Sequence, residues 1–324
     1  MVNTRRVDHP SAVLLCEIFP EIVKVTLKQL FSAVVVPTRL HHVRCLRCIG
    51  LISAISLLYA HSAQAQGEIK ARFDRAFVLK NLSGQVDLKP SRQAWRRAKT
   101  NDQMRNIGDE LKTAARSRAE IHLDVGIGSI NVAPSTLVQL RGISSMEDGS
   151  RISLFSMPYG SARLKLRRFT SPNSRFEIET PAGVSGVRGT EFGISVQPQG
   201  KTSVVVQEGR VNTAAQGVGV DVDAGFQNFT IPGEPPSTPV PLRDDPGLNY
   251  RLDRTITRQQ RRLTFIGQVD PVNIVTINGQ VINTDRQGEF QLPIALVSRP
   301  KLQVTVETPL GKQQQYDLKL DEQF

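Results

Sequence analysis

Cysteines, histidines and paired carboxylates are the residues with which this chain could do chemistry, and their positions decide how much of it is open. Cys16, Cys45 and Cys48 all lie before residue 50, as do His9, His41 and His42, and His61 follows closely. Beyond residue 65 there is no thiol, and His122 is the one imidazole. That part therefore has no disulfide framework, thiolate metal site or cysteine nucleophile. In Ile121-His122-Leu123-Asp124 the alternation is that of a strand, so His122 and Asp124 can share a face and form a His–Asp pair. A lone strand histidine more often faces solvent or packs. Asp244-Asp245 sits among prolines and reads as solvated, so nothing positions the two carboxylates of a glycosidase. Asp221, Asp223 and Glu234 are too sparse for a calcium loop. The expectation is a chain without catalysis, metal or cofactor.

A glycine-rich run, Thr180-Pro181-Ala182-Gly183-Val184-Ser185-Gly186-Val187-Arg188-Gly189-Thr190-Glu191-Phe192, is the other candidate. Phosphate binding needs a helix N-terminus after the glycines or a Gly-Lys-Ser/Thr, and the run has neither. It reads instead as a conformational lock. The glycines permit left-handed backbone and close strand approach. Arg188 is placed to reach Glu191 or carbonyls across the turn, and Phe192 opens the next strand toward the core. Arg188, Gly189, Thr190, Glu191 and Phe192 are the candidate contact residues, with a structural role the first expectation.

The formal charge is +11. Basic residues cluster over Lys89–Arg118 and again at Arg163, Lys165, Arg167 and Arg168. Nucleic-acid binding would ask for aromatic stacking partners, and Trp95 alone is near the first cluster. A solvated face is the plain reading. Peripheral contact with an anionic lipid or polymer through Lys89–Arg118 stays open.

The elements that must position these residues are strands. Ahead of them, Arg39, His41, His42, Arg44 and Arg47 precede the uncharged run Cys48–Ala60, and Ala63-Gln64-Ala65 follows. Basic, apolar, then A-x-A is the layout of a secretory signal peptide, and the run is shorter than the about 20 residues a spanning helix needs. Residues 1–65 are expected to be a leader cleaved after Ala65, with an uncleaved anchor as the alternative. From residue 66 to 231, short alternating runs recur: Thr136–Leu140, Arg151–Phe155, Ala162–Leu166, Phe176–Thr180, Glu191–Val196, Ser203–Gln207 and Val218–Val222. Turn signals such as Tyr159-Gly160 and Glu208-Gly209 separate them, as in a sandwich, barrel or solenoid. Six prolines between Pro232 and Pro246 predict a stiff linker, extended through the basic Tyr250–Arg262 to give a linker over 232–262. Residues 263–324 are β-patterned again, with a hairpin signal at Asn278-Gly279, and suit a small immunoglobulin-like sandwich.

The glycine-rich run resembles the signature of the FecR domain family, in which a strand ending in Thr-Pro leads into Val-Arg-Gly-Thr-Glu-Phe. Val205-Val206-Gln207-Glu208-Gly209-Arg210-Val211 is similar to the family's V-x-E-G-x-V hairpin, and Asp223-Ala224-Gly225-Phe226 to its x-A-G turn. Upstream, Ile107–Thr113 with Ser117-Arg118-Ala119, Leu82–Val86 and Trp95 match in the family's order, so the resemblance spans about residues 73–231. It implies a FecR-type β domain, solenoid- or sandwich-like, followed by the second β module, in an all-β protein. By that resemblance the chain acts by binding: an exported envelope adaptor or scaffold, in the periplasm or at the cell surface, contacting a protein or polysaccharide. The alternatives are a membrane-anchored sensor that regulates a sigma factor, and a polysaccharide-binding protein. Residues 1–38 are too short for the anti-sigma region of regulating relatives.

Overall fold

The structure is a computed structural model, and it describes residues 75–124, 126–256, 261–294 and 301–319; the leader expected over 1–65 lies outside them. The described residues form strands and turns without a helix, so none of them builds a helix long and apolar enough to cross a membrane.

The first domain runs through β1 (Phe77–Ser83), β2 (Val86–Lys89), β3 (Arg96–Arg97), β4 (Gln103–Met104), β5 (Glu110–Thr113), β6 (Arg118–Leu123), β7 (Gly128–Val132), β8 (Leu137–Ser145) and β9 (Arg151–Leu166). It continues through β10 (Arg175–Thr180), β11 (Gly183–Val187), β12 (Glu191–Val196), β13 (Thr202–Glu208), β14 (Arg210–Ala215), β15 (Val218–Asp223), β16 (Phe226–Thr230) and β17 (Val240–Pro241). Pairing sorts these into two layers. Sheet A has the order β4-β1-β6-β7-β9-β12-β13-β16-β17. Sheet B has the order β3-β2-β5-β8-β9-β10-β11-β14-β15, with β9–β10 its one parallel pair among the described residues. The fold is a sandwich rather than a solenoid, because the chain serves the two layers in turn and packs their apolar faces together.

Strand β9 joins the layers. The sequence reads as two strands broken at Tyr159-Gly160; instead a single 16-residue strand runs through. Its first half pairs with β8 and β10 in sheet B, and its second half with β7 and β12 in sheet A. Gly160 (φ +104°) sits where it changes layer, and a Cβ there would meet the Cα of Thr136 at 2.5 Å. The glycine that signals a turn in sequence here permits a bend inside a strand. The core between the layers is apolar. Phe77 of β1, Phe155 of β9 and Phe176 of β10 pack in series, the first pair tilted and the second stacked, with ring centroids 4.9 and 5.3 Å apart.

A second module comprises β18 (Asn249–Ile256), β19 (Arg261–Gln268), β20 (Ile274–Ile277), β21 (Gln280–Ile282), β22 (Glu289–Ile294), β23 (Lys301–Glu307) and β24 (Gln313–Lys319). A three-stranded sheet, β18-β19-β22, faces a four-stranded one, β21-β20-β23-β24, over a core that includes Phe265, Val275, Phe290, Val304 and Val306. The Asn278-Gly279 hairpin falls where its sequence places it, between β20 and β21. The segment expected as linker is shorter than 232–262: β18 pairs with β19 along its whole length. Its arginines obscure the pattern, but Leu252 packs on the core and Tyr250 stacks on Phe265, with centroids 5.4 Å apart. The proline-rich stretch before it is fastened down as well. Val240–Pro241 pairs with β16, Thr308 Oγ1 donates to Asp244 Oδ1 (2.6 Å), and Tyr316 Oη donates to Pro246 O (3.1 Å).

The two modules meet on sheet A. β12 is buried on both faces, Phe192, Ile194 and Val196 pointing into the core and Glu191, Gly193 and Ser195 outward. Burial of Gly193 and Ser195 on the outward face follows from the second module. A Cβ on Gly193 would come within 2.2 Å of Pro309 O, so only glycine lets that turn seat. Gln197 donates to Thr284 Oγ1 (2.9 Å) and Asn273 O (3.3 Å) while its Oε1 accepts from Thr284 N (2.9 Å), and Ser195 Oγ donates to Val272 O (3.3 Å). Lys201 is buried beside them, donating to Thr284 Oγ1 (3.1 Å) and Asp285 O, with its Nζ 4.8 Å from the Phe229 ring centroid.

Candidate functional site

The outer face of sheet A that the second module leaves bare carries the polar side chains a binding site needs. Alternation on β6 turns Ala119, Ile121 and Leu123 inward, so Arg118, Glu120 and His122 point out. Register then aligns two rungs across the sheet. His122 pairs with Ser129, Ser129 with Lys165 and Lys165 with Glu191; beside it, Glu120 pairs with Asn131, Asn131 with Arg163 and Arg163 with Gly193.

Two clefts open on this face and share Glu120. One, of about 780 Å³, is lined by Lys80, Asn81, Arg118, Asn131 and Arg163, and on the far side by Glu307 and Pro309–Gly311 of the second module. The other, of about 620 Å³, is lined by His122, Lys165, Arg167, Arg168, Gly189, Thr190, Glu191 and Glu208. The basic set Arg163, Lys165, Arg167 and Arg168, clustered in sequence, thus runs from the end of β9 past both clefts.

Ion pairs fix the floor. Glu191, whose side chain is 10% exposed, holds Arg163 (2.5 Å) and Lys165 (3.0 Å) at once. Burial pushes its carboxyl up, but hydrogen bonds from Lys165 and Arg163, with their charges, outweigh this and hold it below the usual carboxylate range. Arg163 also donates to Gln207 Oε1 (2.8 Å). Glu307 shows the opposite balance: burial raises its carboxyl despite the hydrogen bond from Gln313 and the charge of Arg118. His122 lies 2.9 Å from Glu120 Oε1, and Asn81 donates to Glu120 Oε2. The His122–Asp124 pair that alternation permits does not form, because Asp124 turns to Arg75 (2.8 Å). No cluster of three or more His, Cys, Asp or Glu is placed to share a metal ion among the described residues.

Four of the five signature residues divide between core and cleft. Phe192 is fully buried in the core. Thr190 Oγ1 donates to Arg210 O (2.9 Å), tying the signature to the hairpin of Glu208-Gly209-Arg210. Gly189 (φ +117°) presses on Arg168, where a Cβ would stand 2.3 Å from the Arg168 Cα. Of the glycines around the signature, Gly186 keeps ordinary strand backbone. Arg188 does not reach Glu191; its guanidinium donates to Pro172 O, a carbonyl across the turn. Only Gly189, Thr190 and Glu191 border a cleft.

The Lys89–Arg118 cluster is not one patch. Arg118 faces the cleft on sheet A, whereas Lys89, Arg96, Arg97 and Lys112 belong to strands of sheet B. Part of its charge is spent locally, in Lys89–Glu110 (3.2 Å) and Arg96–Asp102 (2.6 Å). Sequence reasoning missed Lys80, Asn81, Asn131 and Glu307, which reach the cleft from strands far apart in the chain and carry no shared motif.

Residues 109–212 match the model of the family described as FecR protein, so this segment is a FecR domain. Two crystal structures of a protein described as an anti-sigma factor from Parabacteroides distasonis ATCC 8503, at 2.50 and 1.65 Å resolution, are similar to it. Each is 17% identical, with 45% of this chain and 68% of that chain covered and a TM-score of 0.34, too slight a likeness to argue from. No curated protein matches the chain.

Proposed function

We propose that this is a non-enzymatic regulatory protein of the cell envelope, exported by its leader, which senses or bridges by binding a protein or polysaccharide on the open face of sheet A. One observation carries the reading. The two clefts adjoin, share Glu120, and are walled jointly by the FecR signature and by the turn of the second module, while the groups between them are already paired. Catalysis asks for a base, nucleophile or metal held ready for a reacting atom. Here Glu191 is pinned by two cations and the imidazole is exposed beside a carboxylate, which suits complementary contact with a polar partner. The membership of residues 109–212 in a family with regulating members supports the signalling side of the proposal.

Complementation tests it. Lys80→Gln with Arg118→Gln removes two cations of the larger cleft, Lys80 half-buried and Arg118 exposed, and is expected to leave the melting temperature nearly unchanged. Cells carrying only this variant are expected to show the transcript profile of the deletion strain. Full complementation by a folded variant would overturn the cleft as the working surface. Sequencing the envelope form separates the two export readings: a start at Gln66 means a free protein, an intact leader an anchored one.

A further inference from the structure

We infer that the end of sheet B carrying Trp95 and Ile107 docks on the surface of an anionic lipid bilayer. This surface lies apart from the clefts, and the inference does not depend on them. Lys89 at the end of β2 pairs with Glu110 at the start of β5, so the loops 90–95 and 105–109 leave the sheet at the same end. Asp109, buried beneath them, fastens both: its Oδ1 accepts from Ser91 N (2.7 Å) and its Oδ2 from Arg105 N (2.8 Å) and Asn106 N (2.9 Å). Gly108 N adds a bond to Leu140 O (2.8 Å).

On this rigid base two large apolar side chains stand in solvent, Ile107 61% and Trp95 43% exposed. Holding them out costs apolar exposure, which an interfacial environment removes; tryptophan in particular favours the boundary between headgroups and acyl chains. The charges around them complete the match. The carboxylates of Glu110 and Asp102 are engaged by Lys89 and Arg96, and Lys89 also lies 5.8 Å over the Trp95 ring. Arg92, Arg105 and Arg141 are exposed, with no carboxylate paired to them among the described residues. Apolar tips ringed by arginines fit a negatively charged membrane surface, where each cation adds to the attraction and long basic side chains reach headgroups. A soluble polyanion would use the arginines and leave Ile107 without a partner, so the lipid surface is the better occupant.

The chain has one tryptophan, so its intrinsic emission reports Trp95 whatever else holds the protein to a vesicle. The whole chain is titrated with phosphatidylglycerol-containing vesicles, with phosphatidylcholine vesicles, and with soluble heparin. The expected result is a blue shift with the anionic vesicles alone, quenched by brominated acyl chains. Arg92→Glu with Arg105→Glu is expected to lower the partition coefficient at least about tenfold, and Ile107→Ser to weaken quenching. Ile107 is so exposed that its replacement leaves the fold intact, which keeps the test valid should the double variant fold poorly. No shift with anionic vesicles, an equal shift with neutral ones, a shift with heparin alone, or an unaltered response in Ile107→Ser would overturn the inference.

Discussion

The two halves of sheet A's outer face share strand β12 and have opposite fates. At the Ser195–Gln197 end of β12, the second module covers the sheet through uncharged hydrogen bonds from Gln197, Ser195 and Thr284. At the Glu191 end, six positions from Gln197, the sheet is open and its partners are charged: Arg163, Lys165, Glu120 and Arg118. Desolvating an ion pair is expensive, whereas amide and hydroxyl groups that satisfy each other can be buried at modest cost. The difference separates permanent from exchangeable contact. The covered half carries the groups suited to a fixed interface, and the open half those that stay hydrated until a partner arrives. Lys201, a buried amine, and Asp270, a carboxylate bonded by Gln227 of β16, are exceptions in the covered half.

Substitutions can break this division in graded ways. Gly189→Val is expected to cost most. It forces a branched residue into left-handed backbone, about 1–3 kcal/mol, and drives its Cβ against the Arg168 backbone, adding overpacking of about 1–3 kcal/mol. Thermal unfolding should show the FecR sandwich melting lower; an unchanged curve would remove the structural reading of the signature. Gly193→Val comes next, at about 1–3 kcal/mol, because its Cβ collides with Pro309 O in the covered half. Here the module interface should loosen, so that amide exchange at Thr284, bonded to Gln197, accelerates while Phe192 and its core neighbours stay protected. Equal acceleration in both places would mean that the interface and the core are not separate units.

Lys201→Met gives a pH signature. Burial lowers the Lys201 pKa from 10.5 to about 8, against the charges of Asp285 and Asp270. Between those values the unfolded chain binds more protons than the folded one, so stability rises as pH increases from about 8 toward 10.5. The methionine variant should lose this component of the rise in chemical denaturation, and an identical pH profile would place the amine in water. Glu191→Gln is the mildest, below about 1 kcal/mol, since Lys165 is 70% exposed and Arg163 40% exposed. With a depressed folded pKa, Glu191 contributes stability above its unfolded value that is lost as pH falls through the folded one. The variant and parent should therefore differ slightly at neutral pH and converge in acid, as denaturant midpoints would show.

The fold was legible wherever one strand announces itself. Glu191–Val196 has the same bounds in sequence and structure, and Asn278-Gly279 turns as its residue types demand. Local signals failed where a residue serves a long-range contact. Gly160 reads as a turn but bends a strand between layers, and the arginines of β18 hide a Leu252 that belongs to the second core. The site was half legible for the same reason. Arg163, Lys165 and Glu191 are visible as charges, but their meeting depends on the β9–β12 register. Lys80, Asn131 and Glu307 join them only through packing, and Gln197 and Lys201 look like surface residues until a second module covers them.

The open half as the contact surface is tested most directly by photo-crosslinking in the native envelope. A photoreactive side chain is placed at Asn131, on the exposed rung of the larger cleft, and in a second strain at Val218, 45% exposed on the edge strand of sheet B. The account predicts a discrete adduct from Asn131 and none from Val218. Adducts of equal yield from both positions, or none from Asn131 in cells where the protein is folded and functional, would contradict it.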